Sequence, residues 1–164
     1  MFKNIYQLCI MTSEARSRNM AAIKSKNTKP EIEVRKMLHA LGYRFRLHRK
    51  DLPGKPDIVL PKYRTVIFVN GCFWHQHENC KYASLPKTKI DFWKNKLEGN
   101  KLRDKLKQSQ LKDLGWKIIN VWECEIKNES DNLSLRLKEI SNWKLKKIYL
   151  VVDPANIVRY VLKI

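Results

Sequence analysis

The segment Cys72-Phe73-Trp74-His75-Gln76-His77-Glu78-Asn79-Cys80 follows the apolar run Thr65-Val66-Ile67-Phe68-Val69 after only Asn70-Gly71. Cys124 stands just past a second such run, Trp116-Lys117-Ile118-Ile119-Asn120-Val121-Trp122. A fold in which Cys72, His77, Cys80 and Cys124 converge makes a closed Cys3His tetrahedron, the ligand set of a structural zinc with no position left open for water. The expectation is therefore a metal staple rather than zinc catalysis. The competing reading, small buried cysteines and surface histidines, suits a lone cysteine better than this clustering. Of the four cysteines in the chain, Cys9 lies apart near the N-terminus. The other three are an odd set for disulfides and a natural set for metal ligation in a reducing cytoplasm. His75 is left over, and a histidine beside such a loop is a candidate general base at physiological pH.

Charge narrows the partner. The 164 residues carry 34 Lys and Arg against 16 Asp and Glu, a formal +18. That exceeds what solubility asks for and makes polyanions, nucleic acid first, the natural partners. At 43% hydrophobic and 10% aromatic residues the chain can bury the core of one domain, not two. No apolar stretch is long enough for a membrane helix, so no membrane partner is expected. Residues 1–12 are expected to be a poorly ordered leader, since Met11-Thr12-Ser13-Glu14 reads like a second start and no signal-peptide cleavage site is present. Residues 13–147 form the expected domain, with 148–164 as a strand extension of it. A monomer is expected.

Along the chain, residues 17–23 suit a basic helix. Thr28 N-caps a clearer one with Pro30 in its first turn, and Gly42 closes it. Strands are expected over 43–48, 57–60, 65–69 and 116–122, with a helix near 133–140 and two tail strands over 148–152 and 157–162. The basic segment 90–114 keeps Phe92, Trp93, Leu97, Leu102, Leu106 and Leu111 near one face, and Gly115 ends it. No internal repeat or low-complexity linker interrupts the pattern. The fold class is α/β, a mixed central sheet flanked by helices.

Pro56-Asp57 heads one strand and is followed by a turn and a buried strand, the arrangement of the PD-(D/E)xK nucleases. Asp57 would supply a carboxylate oxygen to Mg2+, a hard cation that keeps waters and binds phosphate oxygens. The second acid and lysine of that motif are missing, because Val69-Asn70-Gly71 stands in their place.

Four segments, Ser17-Arg18-Asn19-Met20, Leu52-Pro53-Gly54-Lys55-Pro56-Asp57, Gly71-Cys72-Phe73-Trp74-His75 and Val121-Trp122-Glu123-Cys124, occur in the order shown by the very short patch repair (Vsr) endonucleases. Over residues 13–142 the chain resembles that family. The resemblance implies a restriction-endonuclease-like fold with a zinc site, and nicking beside the thymine of a T·G mismatch left by deamination of 5-methylcytosine. It implies Mg2+ on Asp57 and on the backbone carbonyl of Val69, which tolerates the loss of an acidic side chain. It implies His75 as the water-activating base, Asp104 as the aspartate assisting it, and Glu31 as a glutamate linked to metal-bound waters. Asn70 departs from the family pattern, which has a histidine there that assists the leaving group; asparagine hydrogen-bonds but does not titrate. Phe73, Trp74 and Trp93 are implied as wedges that unstack the mismatch, with Met20 entering from the opposite groove. Without the resemblance each of these aromatics reads more simply as core. Lys94, Lys96, Lys101, Arg103 and Lys105 are candidate phosphate contacts. The implied partners are double-stranded DNA with a T·G mismatch, a MutL-type repair protein and a DNA cytosine methyltransferase, and the implied place is the cytoplasm, on the bacterial nucleoid. Two alternatives stay open, a zinc-stapled DNA-binding protein without catalysis and a related nuclease acting on a different DNA substrate.

Overall fold

The computed structural model describes Arg18, residues 26–141, 150–152 and 158–160. The expected leader over 1–12, Met20 and all of the expected helix over 17–23 except the helical Arg18 lie outside the described residues.

The first described helix, α1 (Lys29–Ala40), starts where the sequence supplies a reciprocal cap. Thr28 Oγ1 accepts from the Glu31 N–H at 3.4 Å, and Glu31 Oε1 accepts from the Thr28 N–H at 3.3 Å. The helix buries Val34 and Leu38 and stops at Gly42, whose φ of +76° suits glycine and lets its N–H reach the His39 carbonyl at 2.9 Å. Tyr43 then turns inward. Its hydroxyl donates to the Leu137 carbonyl at 3.1 Å and accepts from the Ser141 N–H at 3.1 Å, tying the exit of α1 to the C-terminal helical end.

Strand β1 is only Arg46–Leu47, shorter than the expected 43–48. The inward turn at Tyr43 and a φ of +47° at His48 break the extended run at both ends. β2 (Ile58–Leu60) pairs antiparallel with β1 and with β3 (Thr65–Asn70), and β3 pairs parallel with β4 (Lys117–Trp122). The parallel step needs a long crossover. That crossover contains α2 (Ile90–Asp113). The result is a mixed sheet in the order β1-β2-β3-β4.

Side chains alternate across this sheet with period two. Ile58, Leu60, Ile67, Ile119 and Val121 share one core with Val34 and Leu38 of α1 and Leu133 and Leu137 of α4 (Ser130–Lys138). Val59 and Val66 face the other way and pack with Leu52 and Leu111, joined by Phe68, Trp116 and Ile118. Helices therefore contribute to both faces. A short helix, α3 (Glu123–Asn128), follows β4 at once, so Cys124 sits in its first turn rather than in a loop. At the other end of the chain, β5 (Leu150–Val152) and β6 (Val158–Tyr160) form an antiparallel pair of their own.

The expected apolar stripe on α2 is not its buried face. Leu97 and Leu111 are buried, whereas Phe92, Leu102 and Leu106 are 57%, 69% and 55% exposed. At about 100° per residue, Leu106 lies on the opposite side of the helix from Leu97, while Asp104 and Leu111 recur every seven residues on the same side.

Gly54, in the turn that delivers Asp57, combines a φ of +75° with no room: an added Cβ would lie 3.0 Å from Lys107 Cβ. Gly54→Ala is expected to lower stability by about 1–2 kcal/mol, read as a depressed melting temperature.

Candidate active site and metal centre

At the C-terminal end of β3 the sheet opens into a cleft of about 1120 Å³, lined by Glu31, Asp57, Val69, Asn70, Trp74, His75 and Asp104 among others. Six residues singled out for catalysis or Mg2+ (Glu31, Asp57, Val69, Asn70, His75 and Asp104) thus meet in one cavity, although they come from α1, the approach to β2, β3, the loop after it and α2. Asp57 Oδ2 accepts from the Val69 N–H at 2.8 Å, which fixes the carboxylate across the β2–β3 turn. Burial pushes the Asp57 carboxyl above its ordinary value. The Val69 N–H works against that rise, the charge of Glu31 adds to it, and His48 and His75 oppose it. Two carboxylates facing one desolvated cleft suit a hard cation, so the donor set fits the expected Mg2+.

Glu31 is only 3% exposed and heavily engaged. Besides the cap it accepts from the Asn27 N–H at 3.0 Å and from Arg35 Nη2 at 2.6 Å. Any role toward a cation therefore comes on top of a structural one. Asn70 is 7% exposed at the last position of β3, opposite Trp122.

His75 reaches the cleft because its loop is tightly wound. The Gly71 carbonyl accepts from the His75 N–H at 3.2 Å and the Cys72 carbonyl from the His77 N–H at 3.0 Å, with Gln76 at a φ of +48°. Asn100 Nδ2 donates to the Trp74 carbonyl at 2.9 Å, pinning the loop to α2. One turn further along α2, Asp104 Oδ2 lies 2.6 Å from His75 Nδ1. A carboxylate there accepts the Nδ1 hydrogen and leaves the Nε2 lone pair available, the arrangement of a positioned base.

The winding that presents His75 also presents His77. The ligand atoms of Cys72, His77, Cys80 and Cys124 all lie within 4.8 Å of one another. His77 Nδ1 is 3.2 Å from Cys124 Sγ and 3.9 Å from Cys72 Sγ. Zinc with ordinary Zn–S and Zn–N bonds needs tetrahedral edges of roughly 3.6–3.8 Å, so the donor set fits that ion. The His77 ring stacks on Trp122, centroids 4.2 Å apart and planes 11° from parallel, which fixes the imidazole's orientation. Trp122 is thus half-buried against a candidate ligand instead of lying in the core. Burial, then the neighbouring Cys72 and Cys80 side chains, push the Cys124 thiol up to about 12. Three thiols this close do not ionise together without a cation.

Phe73, Trp74 and Trp93 form one aromatic group beside the cleft, with centroids 5.1 Å (Phe73 to Trp74), 5.3 Å (Phe73 to Trp93) and 5.9 Å (Trp74 to Trp93) apart. All three are half-buried. Phe92, 57% exposed, adds to them through Trp93 at 5.3 Å and was not singled out from the sequence as a wedge. Lys94, Lys96, Arg103 and Lys105 are exposed on the same helix and Lys101 is half-buried.

Two residues that touch the carboxylates of the cleft without lining it escaped sequence reasoning. His48 lies between Glu31 and Asp57, and Arg35 holds it there. The signal available was register: a strand ending at 47–48 that pairs with one starting at 57–58 brings His48 opposite Asp57.

A half-buried carboxylate beside an aspartate-paired histidine, on a chain this basic, is equipment for hydrolysing nucleic-acid phosphodiesters. The family model described as DNA mismatch endonuclease Vsr matches residues 9–81. The type II nicking enzyme V.XorIIP of Xanthomonas oryzae is 49% identical over 130 residues, 79% of this chain and 94% of the relative. V.NmeAIP of Neisseria meningitidis, also a type II nicking enzyme, is 45% identical over 136 residues, 81% and 96% of the two chains. The DNA mismatch endonuclease Vsr of Escherichia coli is 40% identical over 128 residues, 76% and 81%. The chain belongs to the Vsr family, and it is an endonuclease. Among the described residues, no helix is long and apolar enough to cross a membrane.

Proposed function

We propose that this endonuclease nicks one strand of duplex DNA beside the thymine of a T·G mismatch left by 5-methylcytosine deamination, using Mg2+. The observation that carries the reading is the convergence of Asp57, Glu31 and the His75–Asp104 pair on one cleft next to an aromatic cluster. The fold is read as restriction-endonuclease-like, with Asp57 heading β2 and Val69 at the end of β3.

Asp57 and the Val69 carbonyl would hold Mg2+, which when bound polarises the scissile phosphate and neutralises developing charge. Asp104 keeps the Nδ1 hydrogen of His75 in place, so His75 Nε2 takes the proton of the attacking water. Water oxygen bonds to phosphorus as the bond to the 3'-oxygen breaks; that oxygen takes a proton from a solvent water, His75 returns one to solvent, and a 3'-hydroxyl is left. Asn70 offers that oxygen an amide hydrogen bond but no proton. Phe73, Trp74 and Trp93, joined by Phe92, are the wedge; a poorly stacked T·G step lowers the unstacking cost of a few kcal/mol. The cysteine–histidine cluster holds zinc and fixes the loop from which His75 and Trp74 project. DNA as substrate places the work on the chromosome, in the cytoplasm, and a MutL-type protein and a cytosine methyltransferase are the partners this reading predicts.

Asp104→Asn is expected to lower kcat by about 10²–10⁴-fold with little change in KM, because the His75 tautomer is lost and binding is not. Single-turnover nicking at saturating enzyme checks it. The proposal itself is tested by adding EDTA, then Zn2+ to refill the cysteine–histidine cluster, then excess Mg2+ to a nicking reaction on a T·G duplex. Cutting of the T strand should stop and resume. Cutting that persists in EDTA rejects the cation role.

A further inference from the structure

Glu31, His48 and Asp57 bring ligand-bearing atoms within 4.8 Å of one another from three separate segments. Backbone pairing explains why His48 is among them. Leu47 stands opposite Ile58 in the β1–β2 ladder, and the pairing runs one step further as the His48 N–H donates to the Asp57 carbonyl at 3.3 Å. His48 then adopts a φ of +47°, a left-handed conformation that histidine takes more readily than most side chains yet still at a cost in strain. The ring, 16% exposed, ends between the two carboxylates, with Nε2 3.5 Å from Glu31 Oε2 and Nδ1 3.9 Å from Asp57 Oδ1.

Arg35 decides which nitrogen does what. Its Nη2 lies 3.1 Å from His48 Nε2 and 2.6 Å from Glu31 Oε2, while Nη1 donates to Asn27 Oδ1 at 2.7 Å. A guanidinium only donates. His48 Nε2 is therefore the acceptor, and the ring hydrogen sits on Nδ1, facing Asp57. Because the Val69 N–H already holds Asp57 Oδ2, the His48 side governs how far Oδ1 swings. At 3.9 Å this contact is longer than a hydrogen bond, and such contacts in catalytic clefts tighten when the reacting complex assembles.

We propose that His48, locked by Arg35, is a positioning residue that sets the orientation of Asp57 Oδ1 and so the affinity of the cleft for its divalent cation. The proposal rests on the reading of Asp57 as the cation's ligand. It also couples the two carboxylates, since the guanidinium that fixes His48 is the one that holds Glu31.

The test is Mn2+ binding to the zinc-loaded full chain without DNA, followed by loss of the free-ion electron paramagnetic resonance signal. Wild type, His48→Asn, His48→Gln, His48→Leu and Asp57→Ala are compared, with thermal melts alongside. An asparagine amide reaches the Nδ1 position with a donor; a glutamine reaches the Nε2 position and satisfies Arg35 while leaving Asp57 without its contact. Removing such a partner costs about 10–100-fold in metal affinity. His48→Gln and His48→Leu should therefore bind Mn2+ at least about tenfold more weakly than wild type, with His48→Asn restoring most of the affinity. If His48→Leu does not fold, the Asn and Gln variants decide. Wild-type affinity in His48→Gln, or loss in His48→Asn but not in His48→Gln, overturns the positioning role; with Asp57→Ala unable to bind, the reading of Asp57 survives. Undiminished binding by Asp57→Ala overturns both.

Discussion

Asp57→Ala is expected to slow nicking by about 10³-fold or more while DNA affinity changes little, because a phosphate-bound cation supplies several kcal/mol of transition-state stabilisation and each 1.36 kcal/mol is a factor of ten. DNA affinity comes instead from the basic surface, in which Asp57 has no part. The same substitution should not harm the fold. Burial holds the Asp57 carboxyl above its ordinary value of 3.8, so the folded chain binds that proton more tightly than the unfolded one. The stability this group contributes is present at low pH and falls as pH rises from about the ordinary value through the raised one. At neutral pH an alanine there is expected to melt at or above the wild-type temperature. A loss of activity accompanied by a large drop in melting temperature would instead make Asp57 structural.

Cys124→Ser, or stripping the cluster with a strong chelator, is expected to abolish the cooperative thermal transition. Structural zinc in small domains supplies about 10–16 kcal/mol of apparent binding energy, as much as the roughly 5–15 kcal/mol by which whole domains are stable. The cluster joins the loop after β3 to the first turn of α3 directly after β4, so losing it releases the ends of both strands of the parallel pair. Because burial and its two neighbours push the Cys124 thiol up to about 12, metal uptake must expel protons, and affinity should fall as pH is lowered. Proton release on zinc addition and a circular-dichroism melt check this together. An unchanged melt after complete metal removal would reduce the cluster to packed cysteines.

Much of the sheet was legible in the sequence because its strands are short apolar runs bounded by turn residues. Which face each residue takes, Ile58, Ile67 and Ile119 against Val59, Val66 and Ile118, came from the structure, because an apolar run buried on both sides carries no alternation to read. The cap at Thr28 and the stop at Gly42 follow from local chemistry. The cysteine cluster was legible because four soft ligands flank two apolar runs. The cleft was harder. Asp57 and His75 were candidates from their own local motifs, Asp104 was named through family resemblance alone, and only the structure brings Asp104 within 2.6 Å of His75. His48 was missed because its position depends on a two-residue strand's register and on a left-handed turn, neither of which periodicity reports. The α2 stripe misled for a related reason: with apolar residues all round the helix, composition does not say which face meets the sheet. Asp104 and Leu111 on the Leu97 side decide it.

The most direct measurement of the central claim is a competition in one tube, with Mg2+, between two end-labelled duplexes of different length, identical but for a single T·G in place of T·A in a cytosine-methylation context. The account predicts a nick on the T strand of the mismatched duplex at least about tenfold faster than on the paired one, a difference of about 1.4 kcal/mol that the lower unstacking cost supplies. Equal cutting of both duplexes would contradict it and make this a nuclease that does not sense the mismatch.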